Sequence, residues 1–294
     1  MTTETSPGAV PTSDVAAPSR LAHRVQAVPP SGIRKFFDVI ATMPDVISLG
    51  VGEPDFTTPR QIVEAGVESL REGRTHYTSN FGTLELRRVL AAHLERRYGV
   101  AYDPVGELLI TVGASEAVAV AMAAIIDPGD EVILHEPSYV AYLPAILFNG
   151  GTPVLVATDR QASFELDPAA VEAAITPRTK VIFLGYPCNP TGAVLPESTL
   201  RAIADIAARH DLLVVSDEIY DRLVYGDHRK GFRIVDSRDR LANVDIVEAC
   251  ECDDLTDTGG LSNGSLESFE NEQLFYACLL RRAINLGDDH FLIF

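Results

Sequence analysis

VIFLGYPCNPTGAVLPESTLRAIADIAARHDLLVVSDEIY, residues 181–220, carries the reading of the fold. It opens on a short apolar run without alternation, Val181 to Leu184. A loop of turn-forming residues follows, then a helical pattern from Pro196 to His210 and a second apolar run, Leu212 to Val215. A continuous apolar strand is buried on both faces, and a helix between two such strands is the crossover of a parallel sheet. The same alternation extends toward the N-terminus. Leu108 to Val112, Val132 to Leu134 and Val154 to Val156 read as strands, and 115–126, 139–148 and 168–175 as helices. Before them, TPRQIVEAGVESLREG (58–73) and TLELRRVLAAHLERRYG (83–99) carry apolar residues at helical spacing. The fold expected is α/β, a three-layer architecture around a mainly parallel, mixed sheet.

In open parallel sheets, ligands sit beyond the carboxyl ends of the strands. The residues there are Gly113-Ala114-Ser115, His135 to Tyr139, Tyr186 to Pro190, and Asp217 to Tyr220. Gly113, Ala114 and Ser115 stand between a strand and a helix N-terminus, where backbone N–H groups and the helix dipole favour an anion. The plain alternative is an ordinary tight turn. Asn189 is an amide that could donate to a ligand oxygen, or simply a turn residue. Asp217 ends the run LLVVS, where a carboxylate could hold a cationic ring nitrogen or cap a helix beginning at Glu218. In that helix Tyr220 would share a face with Asp217. Tyr139 could stack on a flat ring or pack as core. Together the set suits a planar, phosphorylated, cationic heterocycle.

The charge of the 294-residue chain is −18, which argues against nucleic acid or an anionic membrane as partner. No apolar run reaches the ~20 residues of a membrane span. The start, MTTETSPGAVPTSDVAAPSR, lacks the basic and apolar regions of a secretory signal. The four cysteines form no disulfide framework, so a cytoplasmic setting is expected. Residues 1–30 read as a mobile arm, 31–56 as an N-terminal segment, and 57–235 as the large domain. Half of the net charge falls in 236–294, with 13 acidic residues and four arginines. That stretch reads as an acidic tail with one possible helix, Leu266 to Ala283. The spacing of Cys250, Cys252 and Cys278 is not that of a structural zinc site, and no metal is expected.

GVGEPDF (50–56), HYTSNFG (76–82), TVGASEA (111–117), EPSYVAY (136–142), YPCNPTG (186–192) and SDEIY (216–220) resemble the class I/II aminotransferases that depend on pyridoxal phosphate. With SGIRKFF at 31–37, the pattern is closest to the aspartate, aromatic and acetyl-diaminopimelate branch. The resemblance covers roughly residues 28–235. It implies an enzyme that moves an amino group between an amino acid and a 2-oxo acid, in a homodimer. It implies that Asp217 pairs with the pyridinium nitrogen, Asn189 and Tyr220 bind the ring's phenolic oxygen, and Tyr139 stacks on the ring. Gly113, Ala114 and Ser115 would cradle the phosphate, Tyr77 would reach the neighbouring subunit's phosphate, and Gly52 and Asn189 would meet the substrate.

One part of the pattern has no counterpart. The family's Schiff-base lysine follows SDEIY by a few tens of residues in a Ser-x-Ser-Lys-like context. The lysines here are Lys35, Lys180 and Lys230, and the last lies in GDHRKGF only ten residues after Tyr220. No catalytic lysine is therefore assigned. The arginine that clamps the substrate carboxylate in the C-terminal small domain also finds no motif in 236–294, so that domain is expected to be missing or replaced. The alternative reading is a catalytically impaired relative, a weak cofactor binder or an interaction module.

Overall fold

The computed structural model describes residues 20–29, 43 and 57–225, with the backbone of 278 and 279. Gly52, Lys35, Lys230, the boundary near 235 and the three-cysteine grouping lie outside the described residues. So do 31–56 apart from Met43, and the acidic stretch apart from 278–279. Within the expected arm, α1 (His23–Gln26) is a single helical turn that buries nothing.

Two helices precede the sheet, α2 (Arg60–Arg71) and α3 (Leu84–Tyr98). The Thr83 hydroxyl caps α3, accepting the Leu86 N–H at 3.3 Å. Strand β1 is short, Leu108–Leu109, and α4 (Gly113–Ile125) follows it. The apolar run to Val112 does not continue as strand, because the Ile110 N–H turns to the Phe81 carbonyl at 3.1 Å. Then come β2 (Glu131–Glu136), α5 (Tyr142–Phe148), β3 (Thr152–Ala157) and α6 (Pro168–Ala173). The last units are β4 (Thr179–Gly185), α7 (Glu197–His210) and β5 (Leu213–Asp217). Helix α5 starts three residues later than the periodicity predicts. Tyr139 instead closes a turn, its carbonyl accepting the Tyr142 N–H at 3.2 Å. Pro144 falls in the first turn of α5, where its missing N–H costs nothing.

Strands β2 to β5 form one parallel sheet in the order β3-β2-β4-β5. Successive residues of the apolar runs face opposite layers. Val132, Leu134, Val181, Phe183 and Val215 pack with Ala117, Ala121 and Met122 of α4 and Ile146 of α5. Ile133, Ile182, Leu184 and Val214 pack with Leu94 of α3, Val171 of α6 and Ile203 of α7. This double burial is why the strands lack alternation, and it produces the three layers the sequence predicts. The mixed character expected of the sheet is confined, among the described residues, to a separate pair. Cys278–Leu279 form β6, antiparallel to Leu108–Leu109. The helix read over Leu266–Ala283 does not include these two residues. The free backbone edge of β1 offers them a ladder instead.

The order of the strands reverses beside β2. The chain leaves β2 for β3 on one side, then returns past β2 to lay down β4 and β5 on the other. The carboxyl ends of β2 and β4 thus flank the switch point where open α/β sheets place their ligands.

Candidate active site

Asp217 is the last residue of β5 and pairs in register with Gly185, the last residue of β4. Its side chain is 5% exposed. Oδ2 accepts the Tyr142 hydroxyl at 2.9 Å, and Oδ1 accepts the Ile219 N–H at 3.1 Å. Burial pushes the carboxyl pKa up, while the Ile219 N–H and the Tyr142 hydroxyl pull it back. Among the described residues no basic side chain bonds to it. Within these residues the cluster is a buried carboxyl group held by two neutral donors.

Tyr142, from the first turn of α5, reaches Asp217 by crossing Gly185. A Cβ on Gly185 would lie 2.7 Å from the Tyr142 hydroxyl and 2.8 Å from its ring, so glycine is required where the phenol passes. Phe183 lies against the tyrosine ring, 4.3 Å between centroids at 35°. Tyr139 meets it edge-on at 5.6 Å and 78°. Burial, and then the Asp217 charge, push the Tyr142 phenol well above its usual range, so it stays protonated and donates.

The loop after β4 is anchored from two sides. The Cys188 N–H donates to the Ala193 carbonyl at 2.8 Å and the Gly192 N–H to the Cys188 carbonyl at 2.7 Å, leaving Asn189 half-buried near the tip. On the other side, His135 Nε2 accepts the Gly185 N–H at 3.1 Å and Nδ1 lies 3.0 Å from the Pro137 carbonyl. The backbone ladder between β2 and β4 ends at Leu134 and Phe183, so this imidazole extends it by one bond. These contacts fix the proton on Nδ1. Burial lowers the ring's pKa to about 4, so His135 is neutral at physiological pH, with Tyr186 stacked 4.5 Å away.

Helix α4 begins at Gly113, two residues earlier than the reading from Ser115, so Gly113, Ala114 and Ser115 form its first turn rather than a turn ahead of it, Gly113 with a φ of +79° and Ser115 exposed. Glu116 folds back there and accepts the Val112 N–H. Tyr77 is fully exposed. It lines a cleft of ≈ 380 Å³ with Arg74, His76, Asn80, Thr111 and Val112, which leads to the start of α4. Tyr220 departs from expectation. No helix begins at Glu218: the Asp221 N–H returns to the Glu218 carbonyl and the Leu223 N–H to that of Tyr220, each at 2.9 Å. Two tight turns result, and Asp217 takes the Ile219 N–H within the first rather than capping a helix. The Tyr98 hydroxyl donates to Asp221 and ties these turns to α3.

The structure therefore joins Tyr139 to Asp217 through Tyr142, and the strand register sets the Asn189 loop beside them. The sequence reading assigned no role to Tyr142 or Gly185, and noted His135 only as one of the residues at a strand end. The available signal was the Tyr-x-x-Tyr spacing at 139–142 and a histidine inside an otherwise apolar strand. Lys180 stands elsewhere. It is the second residue of β4, five residues and about 16 Å of strand from Gly185. There its ammonium binds Asp130 at 2.8 Å and Asp127 at 3.5 Å.

This architecture is found in known proteins. The family model for aminotransferase class I and II matches residues 44–248. Aspartate aminotransferase of Pyrococcus abyssi is 43% identical over 207 residues, 70% of this chain and 53% of that protein. Aromatic-amino-acid aminotransferase 2 of Thermococcus litoralis is 42% identical over 205 residues, 70% and 53% of the two chains. Among solved structures, a mutant aspartate aminotransferase of Thermus thermophilus superposes with a TM-score of 0.71 at 38% identity, covering 79% of this chain and 60% of that one. Aspartate aminotransferase of Thermotoga maritima gives 0.76 at 30% identity, covering 90% and 66%. The chain belongs to the class I and II aminotransferases. It spans about half the length of the curated relatives it matches. Members of this family use pyridoxal phosphate.

Proposed function

We propose that the cluster around Asp217 binds the ring of pyridoxal phosphate, and that the chain provides the cofactor-binding part of an aminotransferase acting on an amino acid and a 2-oxo acid. The observation that carries this reading is the buried Asp217 carboxyl, which has no cationic partner among the described residues. A protonated pyridine nitrogen supplies the missing charge and a hydrogen bond together. When bound, the cofactor serves as an electron sink for the amino acid's Cα.

In this reading Asp217 keeps the ring nitrogen protonated and Tyr139 covers one ring face. Asn189 and Tyr220 hold the phenolic oxygen, and the Gly113, Ala114 and Ser115 backbone holds the phosphate at the start of α4. Tyr77 reaches the phosphate of a second subunit in a cytoplasmic homodimer, while Gly52 and Asn189 meet the substrate. The exposed Val63, Val67 and Leu70 of α2 support an association surface.

A second reading rests on the lysines. Lys180 is engaged with Asp130 and Asp127 at the far end of β4. Only Lys35 and Lys230 remain for covalent capture of the cofactor. If neither of them reaches the ring, this chain binds pyridoxal phosphate reversibly and is catalytically impaired. Borohydride reduction of the loaded protein, followed by peptide mass spectrometry, separates the two. An adduct on Lys230 supports the full enzyme. Saturable binding without an adduct supports the reversible binder, and absence of binding contradicts both.

A further inference from the structure

We infer that Tyr142 is a positioning residue for Asp217, holding its carboxylate in the orientation that a ring N–H requires. The inference rests on the reading of Asp217 as the partner of the pyridine nitrogen, and adds a residue to it.

Three observations carry the assignment. The first is the bond from the Tyr142 hydroxyl to Oδ2, 2.9 Å long and fully buried. The second is the way the phenol is held. Phe183 supports one side of the ring, Tyr139 meets its edge, and Gly185 lacks the Cβ that would displace it. The third is the Ile219 N–H on the other oxygen. With a donor on each oxygen, the carboxylate cannot rotate without losing a bond. Each oxygen nevertheless keeps a lone pair for a further donor. Because Tyr139 touches the same phenol, the residue proposed for the ring face and the residue proposed for the ring nitrogen are mechanically linked.

The bond also acts on the proton. A protonated Asp217 offers a ring N–H only a neutral acceptor and no countercharge, and burial favours that form. The Tyr142 hydroxyl opposes it by donating to the ionised carboxylate. The other titratable groups around the pair are Glu218 next in the chain, which accepts the Ser216 hydroxyl at 3.1 Å, Cys188 and Tyr186 after β4, His135 on β2, and Tyr139. His135 is neutral, and none of these groups donates to Asp217 among the described residues.

The test is a titration of the full chain with pyridoxal phosphate from about pH 5 to about pH 8. It uses wild type, Tyr142→Phe, Asp217→Asn and the double variant. Phenylalanine keeps the ring that packs on Phe183 and Tyr139 and removes only the donor. The ligand's own titrations are common to all four proteins and cancel in the ratios. The inference expects Tyr142→Phe to bind about tenfold more weakly at neutral pH, with the deficit growing as pH falls. In the Asp217→Asn background the same substitution changes nothing, because no carboxylate remains to be held. An unchanged affinity and pH profile in Tyr142→Phe overturns the inference. So does an equal loss in both backgrounds, which marks a merely structural tyrosine. If wild type does not bind at all, the reading of Asp217 itself fails and takes the inference with it.

Discussion

Tyr142 and Asp217, 75 positions apart in sequence, meet through a buried 2.9 Å hydrogen bond that crosses Gly185. The contact ties the first turn of α5 to the end of β5 over the end of β4. It marks the point where three crossover units deliver their loops to one place.

Gly185→Ala tests that crossing. The new methyl group lies 2.7 Å from the Tyr142 hydroxyl, so either the phenol or the strand end must shift. Overpacking of this kind costs about 1–3 kcal/mol. Urea denaturation is expected to show a loss of that size, together with weaker binding of pyridoxal phosphate. A variant as stable as wild type would mean that Tyr142 has room to move.

Asp217 predicts a conflict between stability and binding. Its folded pKa is raised, so its unfavourable contribution builds as pH rises from the ordinary carboxylate range toward that raised value and is complete above it. Asp217→Asn removes the buried charge; its amide oxygen can take the Ile219 N–H while its NH2 faces the Tyr142 hydroxyl, which then accepts. Without ligand, the variant is expected to melt about 3 °C above wild type near neutral pH. The gain shrinks toward about pH 4, where the wild-type carboxyl is protonated as well. Calorimetry across this range checks the sign.

His135 makes the opposite prediction. Its pKa falls from 6.5 to about 4 on folding, so the unfolded chain takes up a proton first as pH drops. The stability that the neutral imidazole contributes is complete above 6.5 and is lost as pH falls toward about 4. The slope is about 1.4 kcal/mol per pH unit. His135→Gln keeps an acceptor for the Gly185 N–H and is expected to flatten that slope. Glu131 and Glu172 have lowered pKa values too, with ordinary values of 4.5, so the comparison is read above that pH. Equal slopes in variant and wild type would contradict the buried neutral histidine.

The proposed association surface is tested on α2. Leu70 is 68% exposed there, beside Val63 and Val67. Leu70→Glu is expected to shift sedimentation from dimer toward monomer without lowering the melting temperature. A wild-type monomer would contradict the proposed homodimer.

Asp217 was legible in the sequence because it interrupts an apolar run, and a carboxyl group at the lip of a buried sheet needs a reason. The layers were legible for a related cause: strands buried on both faces leave no polar alternation. Tyr142 was not legible, since its periodicity fits a helix that packs on the sheet. Its hydroxyl gains a role only once β5 lies beside β4 and Gly185 leaves a passage between them. Tyr220 was misplaced because Asp-Glu-Ile-Tyr suits a helix start as well as a turn. The choice was made by the Ile219 N–H bonding to Asp217 and by the Tyr98 contact with Asp221, which is 123 positions away.

If Asp217 binds the cofactor ring through its nitrogen, affinity depends on that one ring atom. The most direct measurement is an absorbance titration comparing pyridoxal phosphate with an analogue whose ring nitrogen is replaced by carbon. Wild type is expected to bind pyridoxal phosphate at least about tenfold more tightly than the analogue, and Asp217→Asn to bind the two alike. Equal affinity of wild type for both compounds would show that Asp217 does not hold the ring nitrogen.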